Sequence, residues 1–254
     1  MFVRFATELK IAAGVCAITE FYEGRTMNYA FPPTPIVTLD AMSSNPFPVR
    51  RIFCMGQNYA AHVQEMGGIV SAHEPFFFMK PAGAVLHNNS IFPYPSNTAD
   101  LQPEVELVVA LHKGGKNIPA DRVNYDYIFG YAVGLDMTKR DLQRVAREKG
   151  HPWDMAKAFD HSAPCSAITP EFYSGTLSSG KIELRVNGEI RQSGDIGDMI
   201  LKIPQMVNWL SNQIELFPGD LIFTGTPAGI SPVIKGDVIE ATVAGLEPLI
   251  ITIG

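Results

Sequence analysis

A short apolar segment that carries two glutamates restricts the fold of this chain more than any other feature. In PEVELVVAL (residues 103–111), Glu104 and Glu106 stand two apart among aliphatic residues, a pattern that predicts a β-strand. Residues i and i+2 of a strand project from the same face, with Cα atoms roughly 7 Å apart. Two adjacent carboxylates repel, and their burial is costly unless a cation or a shared proton compensates. The strand must therefore either bind a cation or expose both glutamates to solvent at a sheet edge.

A third acid, Asp136, follows directly after the apolar run IFGYAVGL (residues 128–135), which predicts a second strand. Three carboxylates without a nearby set of histidines or cysteines favour a hard divalent cation bound through oxygen. The sequence therefore predicts a site for Mg²⁺ or Mn²⁺, with Ca²⁺ as a further possibility, and argues against zinc.

Composition limits the classes of partner. The chain has 254 residues, 46% of them hydrophobic, and a formal net charge of −6. Proteins that bind nucleic acid usually carry a basic patch, so we expect no nucleic-acid partner. The apolar runs are far shorter than the roughly 18 residues of a membrane span, so we expect no membrane association either.

Three cysteines without CxxC spacing predict neither a disulfide framework nor a zinc site and fit a cytoplasmic location. A small-molecule ligand is the remaining class.

The chain is predicted to have one main domain. Residues 27–50 include five prolines and predict an extended lead-in, and residues 51–254 contain no linker or repeat. They predict a single α+β domain dominated by a mixed sheet. Residues 1–26 are interpreted as an N-terminal extension, because Met27 is a plausible alternative start. We expect the protein to fold without them.

Local signals place several elements within this domain. Thr138 is predicted to cap a helix that ends at Gly150, and Asn187-Gly188 is the strongest short hairpin signal. Residues 198–214 have apolar residues at helical spacing and predict an amphipathic helix packed on the sheet.

The stretch GQNYAAHVQEMG (residues 56–67) predicts a short helix that carries His62 and Glu65 three residues apart. Residues at i and i+3 are neighbours on a helix, so Glu65 can accept a hydrogen bond from one imidazole nitrogen and leave the other as a base. The alternative is the solvated polar face of a surface helix.

Seven motifs occur in order along the chain: GQNYAAHVQEMG, PFFFMKP, PEVELVVAL, GYAVGLDMTKRDLQ, PWDMAKAFDHSAPCS, VNGEIRQSG and PGDLIFTGTPAGI. Together they resemble the fumarylacetoacetate hydrolase family over nearly the whole of residues 50–254. Within that family the chain is most similar to the short acylpyruvate hydrolases, which include bacterial fumarylpyruvate hydrolases. One departure is Gln57, where the family commonly carries arginine, and it bears on the choice of substrate.

The resemblance implies a mixed β-roll of the family's C-terminal domain type, with a few short helices, in a homodimer. It implies that Glu104, Glu106 and Asp136 bind the metal. It also implies that His62 and Glu65 lie on a lid over the metal and activate water. The remaining implied site residues are Lys157 as a catalytic residue and Arg140, Gln143 and Thr226 as contacts of a 2-oxo acid. The GTPAG turn is expected to offer backbone N–H groups to the same ligand.

The implied activity is metal-dependent hydrolysis of the carbon–carbon bond of an acylpyruvate. Fumarylpyruvate, which would give fumarate and pyruvate in aromatic catabolism, is the preferred substrate. Oxaloacetate decarboxylation and keto–enol tautomerisation are the alternatives within enzymes, because stabilisation of an enolate serves each of them. A metal-stabilised dimer without turnover is the alternative from another class.

Overall fold

The computed structural model describes residues 8–12, 15–22, 25–42, 45–70, 74–124 and 126–254. The chain divides into two units, Met1–Ile36 and Val37–Gly254. The first contains a three-stranded antiparallel sheet in the order β1-β2-β3. Its strands are β1 (Glu8–Ala12), β2 (Val15–Tyr22) and β3 (Arg25–Asn28). That residues 1–26 are dispensable stays a prediction, and truncation to Met27 followed by a folding assay tests it.

The second unit is rich in strands. In chain order they are β4 (Thr38–Leu39), β5 (Phe47–Pro48), β6 (Arg51–Met55), β7 (Phe77–Lys80), β8 (Val85–His87), β9 (Ile91–Phe92), β10 (Leu101–Gln102), β11 (Val105–Leu111), β12 (Ile128–Leu135), β13 (Thr138–Lys139), β14 (Ala163–Cys165), β15 (Thr169–Pro170), β16 (Lys181–Val186), β17 (Glu189–Asp195), β18 (Asp220–Phe223), β19 (Val238–Val243) and β20 (Leu249–Ile253). An eight-stranded sheet has the order β7-β6-β18-β11-β12-β14-β8, with β15 paired to β12. A five-stranded sheet has the order β17-β16-β19-β20-β9. Both contain parallel and antiparallel pairs, which confirms the predicted mixed α+β fold.

Short helices connect these strands. They are α1 (Ala60–Glu65), α2 (Arg140–Lys149), α3 (Asp154–Lys157), α4 (Glu171–Ser174) and α5 (Ile203–Gln213), with 3₁₀ turns at Ala82–Ala84, Ala120–Arg122 and Ile196–Asp198. Among the described residues, no helix has the length and apolar character that a bilayer span requires.

Two of the predicted chain reversals are confirmed. Gly150 ends α2 in the left-handed conformation, with φ 66°, which glycine adopts without a Cβ penalty. Asn187 and Gly188, at φ 52° and 84°, join β16 to β17, as a tight hairpin turn requires. The predicted cap at Thr138 is wrong. Thr138 lies in β13, which pairs with β10, and the residue before α2 is Lys139.

Strand β11 lies in the centre of the eight-stranded sheet, between β18 and β12. All seven of its residues are buried. Val105, Leu107 and Val109 face the larger apolar cluster, whereas Val108 and Ala110 belong to a second cluster on the opposite face. The alternative in which β11 is an edge strand that exposes both glutamates to solvent is therefore wrong. Glu106 must be compensated inside the protein.

We predict that Gly134→Ala destabilises the protein by about 1–3 kcal/mol, the usual cost of overpacking a filled core. Gly134 pairs with Glu106 across β11 and β12. A Cβ there would lie 2.5 Å from Val108 Cγ2 and 2.6 Å from a ring carbon of Phe223. Urea unfolding measures the change. Gly83→Ala is the control, since no atom lies within 4 Å of its added Cβ, and equal stability of both variants would contradict the prediction.

Candidate active site

The pairing of β11 with β12 brings the three acids together. Val105 pairs with Leu135, so Glu104 and Asp136 flank the same end of the ladder, where the Asp136 N–H donates to the Glu104 carbonyl at 2.9 Å. One carboxylate oxygen from each of Glu104, Glu106 and Asp136 lies within 4.8 Å of the others. All three side chains are at most 4% exposed. The sheet thus holds three oxygen donors at a spacing that suits one divalent cation.

Lysine and arginine side chains compensate two of these acids. Lys157 Nζ donates to Glu104 Oε2 at 2.8 Å, to Asp136 Oδ2 at 2.6 Å and to Thr138 Oγ1 at 2.6 Å. Arg140 Nη2 donates to Glu104 Oε1. Burial would raise the pKa of Glu104, but Lys157 and Arg140 hold it well below its ordinary value. Burial would likewise lower the pKa of Lys157, but Asp136 and Glu104 raise it. Both groups are therefore charged at neutral pH.

Glu106 and one oxygen of Asp136 have fewer hydrogen bonds and charged partners than the other carboxylate oxygens of the cluster. Glu106 Oε2 accepts the Gly225 N–H at 2.7 Å, but Glu106 forms no ion pair within the described parts of the chain. Burial, and then the charges of Asp136 and Glu104, raise the pKa of Glu106 well above its ordinary value. Asp136 Oδ1 is buried and accepts no well-aligned hydrogen bond from any described residue, although Lys80 Nζ lies 2.8 Å away. A hard cation between these oxygens would satisfy both, so the donor set fits Mg²⁺ or Mn²⁺.

The predicted His62–Glu65 pair is present on α1. His62 Nδ1 lies 3.0 Å from Glu65 Oε2, and the Gly229 N–H donates to Glu65 Oε1 at 3.0 Å. An ionised carboxylate only accepts hydrogen bonds, so Nδ1 carries the proton and Nε2 is left as a base. His62 is 5% exposed, which excludes the solvated helix face.

One cavity joins the predicted site residues. Its volume is about 30 Å³, and eight of the nine residues line it: His62, Glu104, Glu106, Asp136, Arg140, Gln143, Lys157 and Thr226. The ninth, Glu65, reaches the cavity through its hydrogen bond to His62. Arg140 Nη1 donates to Gln143 Oε1 at 2.5 Å, so these two side chains form one wall. Residues from distant parts of the chain thus surround the carboxylates.

Several further residues of the site carry no distinct sequence signal. Lys80 is the last residue of β7 and pairs with Asp136. The only sequence signal for this role is a charged residue in an otherwise apolar strand. Gln102 accepts a hydrogen bond from Arg140 Nε at 3.0 Å. Asn58 donates to the carbonyls of Leu201 and Thr224 at 3.0 and 2.8 Å. These side chains orient the loops that carry the site.

The GTPAG turn (residues 225–229) donates two of its backbone N–H groups to side chains of the protein, whereas the resemblance implied that the turn offers such groups to a ligand. Its Gly225 N–H is bound to Glu106, and its Gly229 N–H is bound to Glu65. Both glycines have positive φ, 95° and 105°, a conformation that other residues rarely adopt. The turn therefore connects the carboxylate cluster to α1, and the Thr226 side chain is its contribution to the cavity.

A buried carboxylate triad beside a histidine–glutamate pair, on a mixed β-roll, defines a metal-dependent enzyme. Residues 51–253 match the fumarylacetoacetate (FAA) hydrolase C-terminal family. The chain belongs to the fumarylacetoacetate hydrolase family. This confirms the resemblance drawn from the seven motifs.

Similar proteins differ in their named activities. The crystal structure of fumarylpyruvate hydrolase from Pseudomonas aeruginosa in complex with Mn²⁺ and pyruvate superposes with a TM-score of 0.87 and 44% identity, covering 89% of this chain and 99% of that one. The mitochondrial oxaloacetate tautomerase of Homo sapiens is 42% identical over 197 residues, which are 78% of this chain and 88% of the human protein. The mitochondrial oxaloacetate decarboxylase of Dictyostelium discoideum is 37% identical over 199 residues, 78% of this chain and 90% of that protein.

We predict that Glu106→Ala abolishes binding of Mn²⁺ in the micromolar range, because it removes one of three anionic ligands and opens a gap at the centre of the cluster. Titration of metal-free protein, followed by the electron paramagnetic resonance of free Mn²⁺, measures the effect. Glu247→Ala, at an exposed glutamate, is the matched control and should bind as the wild type does. Unchanged Mn²⁺ affinity in a folded Glu106→Ala protein would show that the cation lies elsewhere.

Proposed function

We propose that the protein is a metal-dependent hydrolase that cleaves the carbon–carbon bond of acylpyruvates, with fumarylpyruvate as the first candidate substrate. The observation that carries the proposal is the position of His62, which lines the same cavity as the three carboxylates while Glu65 fixes its tautomer. A base oriented toward a cation site is needed for attack by water and is not needed for decarboxylation.

The residues that line the cavity have separate roles in the proposed reaction. A cation held by Glu104, Glu106 and Asp136 would act as a Lewis acid toward the 2-oxo group of the substrate. His62 Nε2 removes a proton from water, and the carboxylate of Glu65 stabilises the imidazolium that results. The water oxygen attacks the C4 carbonyl, the C3–C4 bond breaks, and its electron pair passes to C3.

The products follow from this bond cleavage. The acyl fragment leaves as a carboxylic acid, and the C1–C3 fragment leaves as the enolate of pyruvate, which takes the proton from His62 to give pyruvate. Lys157 donates its three N–H groups to Glu104, Asp136 and Thr138, so we assign it to stabilise the enolate oxygen through its positive charge. Arg140 and Gln143 form the cavity wall that we assign to the substrate carboxylate.

The similarity to the Pseudomonas aeruginosa fumarylpyruvate hydrolase supports this activity and the choice of Mn²⁺ or Mg²⁺. The second candidate is tautomerisation or decarboxylation of oxaloacetate, which the human and Dictyostelium discoideum relatives favour at 42% and 37% identity. Neither reaction needs an attacking water. Decarboxylation needs no base, whereas tautomerisation needs a base that removes a proton from C3, a role that the position of His62 also fits.

We further propose a homodimer in the cytoplasm. The mitochondrial relatives define the alternative location, and fractionation of the source cells distinguishes the two.

We predict that His62→Ala lowers kcat for acylpyruvate hydrolysis by roughly 10²–10⁴-fold, the usual contribution of a general base. Glu65→Gln should have a smaller effect, because it removes the charge that stabilises the imidazolium and keeps a hydrogen-bond acceptor. The double variant should be little worse than His62→Ala, since residues that act as a unit are not additive. Steady-state kinetics at saturating Mn²⁺ measures all three.

The control is His87→Ala, at an exposed histidine. Hydrolysis by His62→Ala within a few-fold of the wild type would contradict the assigned base. Wild-type protein that tautomerises or decarboxylates oxaloacetate but hydrolyses no acylpyruvate would select the second candidate.

A further inference from the structure

A second cavity adjoins the catalytic one. It has a volume of about 230 Å³, whereas the catalytic cavity has about 30 Å³, room for only one or two waters. Five residues line both: Gln57, Met66, Arg140, Gln143 and Trp153. A ligand held at the carboxylate cluster therefore extends into the second cavity if it is longer than a few atoms. We call this second space the side cavity.

The side cavity has an excess of positive charge. Arg144 and Arg147 line it, one and two turns along α2 from Arg140. Arg147 Nη1 donates to the Met66 carbonyl at 2.9 Å. Arg144 Nη2 lies 3.9 Å from Asp100 Oδ2, which is longer than a hydrogen bond, and the Arg144 side chain is 62% exposed. A guanidinium carries five N–H donors, so both groups have donors left for an anion.

Within the described parts of the chain, one carboxylate lines the side cavity, and it is already bound. Glu65 accepts hydrogen bonds from His62 and from the Gly229 N–H with its two oxygens. Gln57 stands where the two cavities meet and holds φ at 54°, a conformation that is unfavourable for a residue with a side chain. Its side chain is a neutral amide, so it adds no negative charge at the junction.

We propose that the side cavity binds a second carboxylate, at the far end of the acyl group, so that the protein prefers dianionic 2-oxo acids over monoanionic ones of the same length. Arg144 is the specificity-determining residue, because Arg147 also holds the carbonyl at the end of α1. This inference rests on the proposed function for the position of the 2-oxo acid. It names the residue that recognises the terminal carboxylate, a group that fumarylpyruvate carries.

The test compares two seven-carbon ligands that differ only in the terminal group, 2-oxoheptanedioate and 2-oxoheptanoate. Isothermal calorimetry measures their affinities for Mn²⁺-loaded protein, without any need for turnover. We expect the dianion to bind at least tenfold more tightly to the wild type. Arg144→Gln should lose most of that preference, because it removes a charged hydrogen-bond donor from the terminal carboxylate. Affinity for the monoanion should stay within twofold.

The control is Lys149→Gln, which removes an exposed charge at the end of α2 outside the cavity lining. An equal loss of affinity for both ligands in Arg144→Gln, or equal affinities in the wild type, would overturn the subsite. The outcome is separable from that of the proposed function. A dianion preference without hydrolysis of fumarylpyruvate would support the carboxylate subsite and contradict the proposed hydrolase activity. Hydrolysis of fumarylpyruvate without a dianion preference would support the hydrolase activity and contradict the subsite.

A different observation concerns Gln192 on β17, whose side chain is buried among three partners. The Val105 N–H donates to Gln192 Oε1 at 2.9 Å. Gln192 Nε2 donates to the Pro227 carbonyl at 2.7 Å and to Thr226 Oγ1 at 2.8 Å. A backbone N–H can only donate and a carbonyl can only accept, so the orientation of the amide is fixed. Thr226 therefore accepts in this bond, and its own hydroxyl hydrogen remains to be donated.

We infer that Gln192 is a positioning residue that makes the Thr226 hydroxyl a donor toward substrate. Thr226 lines the catalytic cavity, and no other residue in the described ranges takes its hydroxyl hydrogen. A substrate carboxylate or carbonyl oxygen is the acceptor that this geometry fits. The inference also rests on the proposed function, which places a 2-oxo acid in the cavity.

The test is a double-mutant cycle on the affinity of Mn²⁺-loaded protein for 2-oxoheptanedioate. Gln192→Glu keeps an acceptor for the Val105 N–H but replaces the donor to Thr226 with an acceptor, so the hydroxyl turns away from the cavity. We expect Gln192→Glu and Thr226→Val each to weaken binding about tenfold, a typical effect of one hydrogen bond to a charged group. In the Thr226→Val background, Gln192→Glu should add less than twofold.

Two further variants separate positioning from folding. Gln192→Met keeps the volume without a buried charge, but it neither fixes nor captures the Thr226 hydroxyl, so it should weaken binding less than Gln192→Glu does. Thr226→Ser should retain wild-type affinity. A full additional loss from either Gln192 variant in the Thr226→Val background would show that Gln192 acts on structure and not through the hydroxyl.

Discussion

The compensation of three buried carboxylates is the constraint on which the rest of the structure depends. Glu104 and Asp136 lie at one end of the β11–β12 ladder, and Glu106 projects from the same end of a strand with no exposed residue. Removing such charges from water is affordable only with charged partners or a bound ion. Lys80, Lys157 and Arg140 supply the partners for two of the acids. Among the described residues Glu106 has a single N–H donor, and this imbalance makes the cluster a candidate cation site.

Loops and helices far apart in sequence are connected through the same cluster. The GTPAG turn gives one N–H to Glu106 and another to Glu65, so the carboxylates and the helix that carries His62 share one support. Gln192 joins that turn to the start of β11. His62, the candidate metal ligands and the Thr226 hydroxyl are therefore held by one hydrogen-bonded network. A network of this kind orients reacting groups more closely than separate loops would.

Much of this could be predicted from local patterns, and the rest could not. The strand character of β11, the Asn187-Gly188 hairpin and the end of α2 at Gly150 follow from propensity and turn chemistry within a few residues. The three carboxylates and the His62–Glu65 pair were predicted from residue spacing, whereas the other site residues were predicted only because the family motifs carry them. The partners of those residues were missed, since Lys80 and Gln102 reach the site only through pairing of distant strands. Thr138 was taken for a helix cap because its pairing with β10 is a contact that no local signal reveals.

The central claim is that one divalent cation, held by the buried carboxylates, is required for cleavage of an acylpyruvate. The most direct measurement adds Mn²⁺ stepwise to EDTA-stripped protein and follows bound metal and hydrolysis of fumarylpyruvate in the same samples. We expect no hydrolysis without metal, a rise in proportion to bound Mn²⁺, and a plateau at about one ion per chain, as one set of three ligands requires. Full hydrolysis in the stripped protein, or activity that does not follow the bound ion, would contradict the account.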